Sequence, residues 1–278
     1  MLDSPPPEPR PPTAAARRVV LVTGSAKRLG RAMVLDLAAH GFDVAVHYRG
    51  DAAEACATVT AARALGASAD AFQADLADES ACRSLLPQVL ARMGRIDAVV
   101  NNAALFEYDA PASFSYASMQ AHWAANTAPA VVLAQALHAH CVARQRPGTS
   151  ACVVNLIDQK LWNPNPDYFS YTLSKAALEA ATVMLAQALA PQVRVCGVAP
   201  GVTLVSGPMT PDEFAKAHTL TPLHRSSTPA DIARTVRFLI DSPAITGTTL
   251  LVDGGQHLQG QPRDVLFLAQ PATAASPT

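Results

Sequence analysis

Tyr171-Thr172-Leu173-Ser174-Lys175 sets a phenol and an ammonium four residues apart, on one face of any helix that contains them. An ammonium close to a phenol favours the phenolate, which would lower the Tyr171 pKa and make it a usable proton donor or acceptor near neutral pH. Earlier in the chain, Thr23-Gly24-Ser25-Ala26-Lys27-Arg28-Leu29-Gly30 joins a β-branched run to a helical pattern. Glycines at such a junction let the backbone turn tightly and approach a pyrophosphate, which a helix N-terminus stabilises. Both features have plainer readings: the glycines could make an ordinary strand-to-helix turn, and a Tyr/Lys pair at this spacing also occurs in structural helices. The next β-branched run ends His47-Tyr48-Arg49, where an NAD-binding protein presents an acid to the adenosine 2′-hydroxyl. Arg49 there, with Lys27 and Arg28 in the adjacent loop, suits a 2′-phosphate and points to NADPH over NADH; the alternative is that Arg49 is a solvated loop residue. Asp51 has the side chain of a helix N-cap.

Short β-branched runs alternate with Ala/Leu-rich segments of helical period, the pattern of βαβ units. Strands are predicted at 18–23, 43–48, 68–73, 97–101, 150–156, 192–198 and 248–252. Helices are predicted at 28–40, 51–65, 78–92, 128–144, 171–189 and 229–240. Right-handed crossovers between seven such strands give a single-domain α/β fold of Rossmann-like, doubly wound type, a seven-stranded parallel sheet with helices on both faces. Residues 1–16, with Pro5, Pro6, Pro7, Pro9, Pro11 and Pro12, read as a disordered Pro-rich arm, 17–260 as the domain, and 261–278 as a tail that could dock at a subunit interface.

Composition excludes several classes. The 278 residues are 50% apolar and 15% charged, and 21 Lys and Arg nearly balance 22 Asp and Glu, so long-range attraction to nucleic acid is not expected. No apolar run is long enough to span a bilayer and no signal peptide opens the chain, so a cytoplasmic protein is expected. Cys56, Cys82, Cys141, Cys152 and Cys196 form no C-x-x-C, and the histidines form no H-E-x-x-H, so neither a disulfide framework nor a metal site is expected.

Taken in order, the glycine loop, Asp75-Leu76, Asn101-Asn102-Ala103-Ala104, Asn126, Tyr171-x-x-x-Lys175 and Ala199-Pro200-Gly201 resemble the short-chain dehydrogenase/reductase family over residues 17–256. The resemblance implies that Tyr171 is the general acid and that Lys175 holds the nicotinamide ribose and lowers the Tyr171 pKa. It implies further that Asn126 positions a relay water. The cofactor would then meet Gly24, Lys27, Arg28, Leu29, Gly30, His47, Tyr48 and Arg49 near its phosphates. Asp75, Leu76, Asn102 and Ala103 would lie near its adenosine, and Pro200, Gly201 and Thr203 near its nicotinamide. A homotetramer is also implied, and the helices at 128–144 and 171–189, apolar nearly all round, suit buried interfaces.

Two departures narrow the resemblance. Asp158 stands where the family usually has Ser, and Arg28 where the cofactor loop usually has another Gly. Both look like the pteridine reductases and the related dihydromonapterin or dihydrofolate reductases, in which an aromatic after Asn-Asn-Ala stacks on the pterin, here Phe106. A carboxyl beside Tyr171 could pass a proton to a pterin ring nitrogen and hydrogen-bond its amino-bearing edge. Tyr168 would complete an aromatic slot with Phe106, and 203–223 would form a loop closing over substrate. The expectation is an NADPH-dependent reductase of dihydrobiopterin, dihydromonapterin or dihydrofolate. The alternatives are a carbonyl reductase of a ketoacyl or sugar ketone and a non-catalytic regulator on the same fold.

Overall fold

The computed structural model describes residues 17–145, 148, 151–205 and 209–269. The Pro-rich arm at 1–16 and the end of the tail at 270–278 lie outside the described residues.

The chain runs β1 (Val19–Val22), α1 (Arg28–Ala39), β2 (Asp43–Tyr48), α2 (Ala52–Ala64), β3 (Ala69–Gln73), α3 (Glu79–Met93), β4 (Ala98–Asn101) and α4 (Tyr116–His122). It continues through a π-turn (Trp123–Thr127), α5 (Ala128–Ala143), β5 (Ala151–Leu156), a 3-10 turn (Gln159–Trp162), α6 (Phe169–Ala188) and β6 (Val193–Pro200). Last come α7 (Pro211–Thr219), α8 (Pro229–Asp241), β7 (Thr249–Val252) and α9 (Val265–Ala269). All strand pairs are parallel, in the order β3-β2-β1-β4-β5-β6-β7.

Successive strand residues point to opposite faces, and both faces are apolar because both are covered. Val20, Val22, Val44, Val46, Val154 and Val198 pack with Met33 and Leu37 of α1, Val59 of α2 and Val236 of α8. Val19, Leu21, Val99, Val153 and Val195 pack on the other face with Leu85 of α3, Leu133 and Leu137 of α5 and Ala186 of α6. Local chemistry sets the helix ends: Asp51 caps α2, Asp78 caps α3, and Gly94 closes α3 in the left-handed region at φ 76°.

The predicted elements are present with ends shifted by a residue or two. The segment expected as a loop at 203–223 instead contains α7. Its flanking prolines read as loop formers, but Pro211 sits in the first helical turn, where no N–H bond is lost, and Thr210 and Glu213 form a capping box. The start of the tail forms α9. Val265, Leu266 and Ala269 of α9 pack against Tyr168, Tyr171, Met209 and Ala217 of the same chain. The segment from 263 to 269 therefore covers its own chain's site, because its apolar residues find cover beside α7.

Arg194 of β6 is buried and donates from Nη1 to Leu239 O and Ile245 O and from Nη2 to Ile240 O, tying the end of α8 to the sheet. Arg194→Met strips these carbonyls of a cationic donor and should cost about 3 kcal/mol, read as a lower denaturant midpoint. A midpoint matching wild type would remove this role.

Candidate active site

The strand order reverses direction between β1 and β4, which opens a crevice at their carboxyl ends. The glycine loop lies there. Gly24 has φ 59°, and a Cβ on it would sit 2.9 Å from Ala103 Cα; a Cβ on Gly30 would sit 2.5 Å from Gly24 O. The loop is braced from the neighbouring strand. Thr23 Oγ1 accepts from Asn102 N at 2.9 Å and Ala103 N at 3.0 Å, and Asn102 Nδ2 donates to Thr23 O at 2.8 Å and Gly24 O at 3.1 Å.

His47 is buried beneath the loop, where its Nδ1 accepts from Gly24 N at 2.9 Å and its Nε2 meets Ala74 O at 3.1 Å. That pairing fixes the neutral ring with its proton on Nε2, and burial lowers the His47 pKa to about 4. His47, expected among the cofactor contacts, holds the shape of the loop from below. The N-cap of α1, Lys27, makes no side-chain cap, and no acid occupies the first turn, so the helix N-terminus retains its pull on an anion.

The three expected cations divide. Lys27 Nζ lies 3.5 Å from Asp51 at the tip of β2, where Arg49 is exposed and Tyr48 half-buried. Arg28 points elsewhere: its Nη2 donates to Val205 O at 2.5 Å, and its side chain lines a neighbouring cavity. Adjacent residues at a helix start project about 100° apart, and Arg28 holds a left-handed φ of 54°, as the glycine usual at this point would. At the end of β3, Asp75 is exposed and accepts from Ala77 N, while Leu76 is buried in the core.

A cavity of about 330 Å³ opens beside this loop. Leu29, Asn102, Pro200, Gly201 and Thr203 line it with Arg28, and so do Phe106, Asp158, Tyr168, Tyr171 and Lys175. Tyr171 OH donates to Asp158 Oδ2 at 3.0 Å, and Lys160 N donates to Asp158 Oδ1 at 2.9 Å. Lys175 Nζ donates to Leu156 O at 2.6 Å and lies 5.7 Å from the Tyr171 ring centroid.

Burial raises the Asp158 pKa, although its hydrogen bonds and the Lys160 charge oppose the shift. Burial also lowers Lys175 to about 8. Tyr171 departs from expectation, since burial and then Asp158 push its pKa well above the usual phenol value. The carboxyl hydrogen-bonded to the phenol outweighs the more distant ammonium. As it stands, the pair is a protonated phenol on a carboxyl group that readily takes up a proton.

Phe106 stacks on Tyr168 at 4.2 Å with rings 14° apart and meets the Tyr171 ring edge-on at 4.7 Å. The two expected slot residues thus touch each other, leaving the exposed face of Phe106 toward the cavity. Asn126, in the π-turn before α5, holds the backbone beside Phe106. Its Oδ1 accepts from Leu105 N at 2.6 Å, and its Nδ2 donates to Leu105 O at 3.0 Å and Ser174 Oγ at 2.9 Å. Only one lone pair on Oδ1 is left for the relay water implied by the resemblance.

Several residues that position the site gave no periodic or motif signal. Buried Asp109 receives Ser170 N at 2.8 Å, and its backbone O receives Phe169 N, so it anchors the first turn of α6 two residues from Tyr171. Tyr168 enters that helix at a left-handed φ of 52°. Buried Asp167 accepts from Arg263 Nε at 2.8 Å and Asp264 N at 2.7 Å, while Lys160 Nζ donates to its backbone O at 2.5 Å. Only the pairing of acids with backbone donors across more than sixty positions could have revealed them, and one sequence does not display such contacts.

The neutral His47 also predicts an acid response. Its folded pKa of about 4 lies below the unfolded value of 6.5, so the stability it contributes is fully present above pH 6.5 and is lost as pH falls toward 4. Denaturation of wild type across that window should show a loss that His47→Gln, which cannot charge, shows to a smaller extent. Parallel pH dependences for the two proteins would contradict the assignment.

Comparison with known proteins agrees with this geometry. A family model described as enoyl-(acyl carrier protein) reductase matches residues 24–257. The chain is similar to the solved structure of FolM alternative dihydrofolate reductase 1 from Brucella canis complexed with NADP, at 41% identity and TM-score 0.82, covering 90% of this chain and 97% of that one. Pteridine reductase 1 of Leishmania tarentolae is 32% identical, over 88% of this chain and 98% of its own length. The 3-oxoacyl-[acyl-carrier-protein] reductase of Synechocystis sp. is also 32% identical, over 87% of this chain and 98% of its own. With the parallel sheet, the braced glycine loop and the Tyr171/Lys175 pair in place, the chain belongs to the short-chain dehydrogenase/reductase family of oxidoreductases.

Proposed function

We propose that the chain is an NADPH-dependent reductase that saturates a C=N bond of a pterin or folate, such as dihydrobiopterin, dihydromonapterin or dihydrofolate. The observation that carries this reading is the Asp158 carboxyl, 3.0 Å from Tyr171 OH, where a carbonyl reductase would need a hydroxyl donor. The NADP complex of the Brucella canis relative and the pteridine reductase of Leishmania tarentolae support it.

The residues present fit the cofactor: α1 begins without a side-chain cap, Gly24 and Gly30 keep the loop tight, and Lys27 in that loop and Arg49 at the tip of β2 are both exposed. When bound, NADPH supplies the hydride that the substrate carbon receives. Asp158 and Tyr171 give the neighbouring ring nitrogen its proton, so that C=N becomes CH–NH. Lys175, held on Leu156 O, binds ribose hydroxyls, and Asn126 keeps Phe106 in place to stack on the flat ring. Tyr168 backs Phe106, and Gly201 and Thr203 border the reacting end. Asp75, Leu76 and Ala103 would lie on the adenosine side of the bound cofactor. The reacting carbon must come within about 3 to 3.5 Å of the hydride donor, which a stacked ring favours. Exposed Val142 on α5 and Leu173 and Met184 on α6 would be covered in a homotetramer working in the cytoplasm.

A carbonyl substrate is the second reading, favoured by the 32% identity to the 3-oxoacyl-[acyl-carrier-protein] reductase of Synechocystis sp.. NADPH oxidation assayed on dihydrobiopterin, dihydromonapterin, dihydrofolate and a ketoacyl ester decides between them; turnover of the ester alone defeats the pterin reading. Asp158→Ser should lower pterin turnover at least about 100-fold, as expected for loss of a general acid. In wild type the rate should fall as pH rises through the raised Asp158 pKa, because the deprotonated carboxylate has no proton to give. Lys27→Ala with Arg49→Ala should weaken NADPH far more than NADH, and an equal effect on both would remove these residues from 2′-phosphate recognition.

A further inference from the structure

The wall built by residues 256–266 carries chemistry that the proton relay does not use. Asp264 lines the cavity with its side chain largely buried, at 19% exposure. Its Oδ1 accepts from Leu266 N at 3.1 Å and its Oδ2 lies 3.4 Å from Lys160 Nζ. Its position is locked, since Asp264 N donates to Asp167 and Arg263 grips both Asp167 oxygens at 2.8 and 3.1 Å. A carboxylate offers about four acceptor positions, so this one has capacity left. On the same wall Gln256 is buried, and its Oε1 has no hydrogen-bond partner among the described residues. A buried acceptor left unpaired is destabilising, and a donor on a bound ligand would relieve it.

We propose that Asp264 and Gln256 form the specificity-determining end of the substrate site, accepting hydrogen bonds from a neutral hydroxyl or N–H group of the ligand and disfavouring a carboxylate there. The inference rests on the pterin or folate reading above. Lys160 does not reverse the preference: its ammonium is already divided between Asp167 O and Asp264. The Asp264 charge also reaches Asp158, Tyr168 and Tyr171, all of which it biases toward the protonated form, so a second anion nearby would meet a region already rich in negative charge.

The test compares wild type, Asp264→Asn and Asp264→Ala on three substrates: a dihydropterin with a hydroxylated side chain, its 6-methyl analogue without hydroxyls, and dihydrofolate with its acidic tail. Asn keeps an acceptor for Leu266 N, so the start of α9 survives in that variant. Both substitutions should raise KM for the hydroxylated dihydropterin about tenfold, the effect of losing a hydrogen bond to a charged group, and lower KM for dihydrofolate. A matching rise for the 6-methyl analogue assigns the contact to ring N–H, and no rise assigns it to the side-chain hydroxyl. Equal KM changes for neutral and acidic substrates, or none, overturn the inference while leaving the pterin reading intact. Wild-type turnover of a ketoacyl ester alone overturns both.

Discussion

Every side chain of the site is placed by one constraint, the parallel pairing of seven strands whose carboxyl ends all emerge on the same edge. A parallel sheet must be covered on both faces, so its helices return each strand to that edge and leave it the natural opening for a ligand. The reversal of strand order between β1 and β4 parts the loops there. The glycine loop after β1 and Asn102 after β4 meet across the gap and are hydrogen-bonded to each other. Asp158 follows β5 and Gly201 follows β6, so the remaining cavity walls come from the next two strands in order.

Upon that frame, buried polar braces convert approximate placement into geometry. Asp109 fixes the start of α6, Asn126 fixes the backbone beside Phe106, and Asp167 fixes the segment that carries Asp264. Each uses a carboxylate or amide to join backbone groups far apart in the chain, which in a buried setting is worth more than at the surface. Tyr168 and Arg28, both held at left-handed φ, border the cavity these braces shape. Strain at such positions persists only where surrounding contacts over-determine the backbone.

Electrostatics in the cavity run against the simplest reading of the Tyr171/Lys175 pair. Spacing along a helix puts the ammonium near the phenol, but it does not reveal that Lys175 is held by Leu156 O while Asp158 takes the phenol proton as its hydrogen-bond donor. Three protonatable groups in one dry pocket shift one another. The carboxyl is raised by burial, the phenol is raised by burial and the carboxyl, and the ammonium is lowered by burial, so the pocket disfavours charge on each of the three.

The alternation of β-branched and helical segments was enough to determine the parallel α/β fold, because strand and helix periodicities are local properties of the chain. The glycine loop, Tyr171, Lys175, Asp158 and Phe106 were likewise legible from their types and order, and the structure puts Arg28 and Leu29 of the loop on the cavity wall with Tyr171, Lys175, Asp158 and Phe106. Tertiary structure alone decided the rest. It made His47 a brace of the glycine loop, turned Arg28 toward Val205, and built α7 where prolines suggested a loop. It also folded the segment at 263–269 onto the chain's own site. The physical reason is common to these cases: each depends on a hydrogen bond, ion pair or apolar contact between distant parts of the chain, and such partners exist only once the sheet has brought them together.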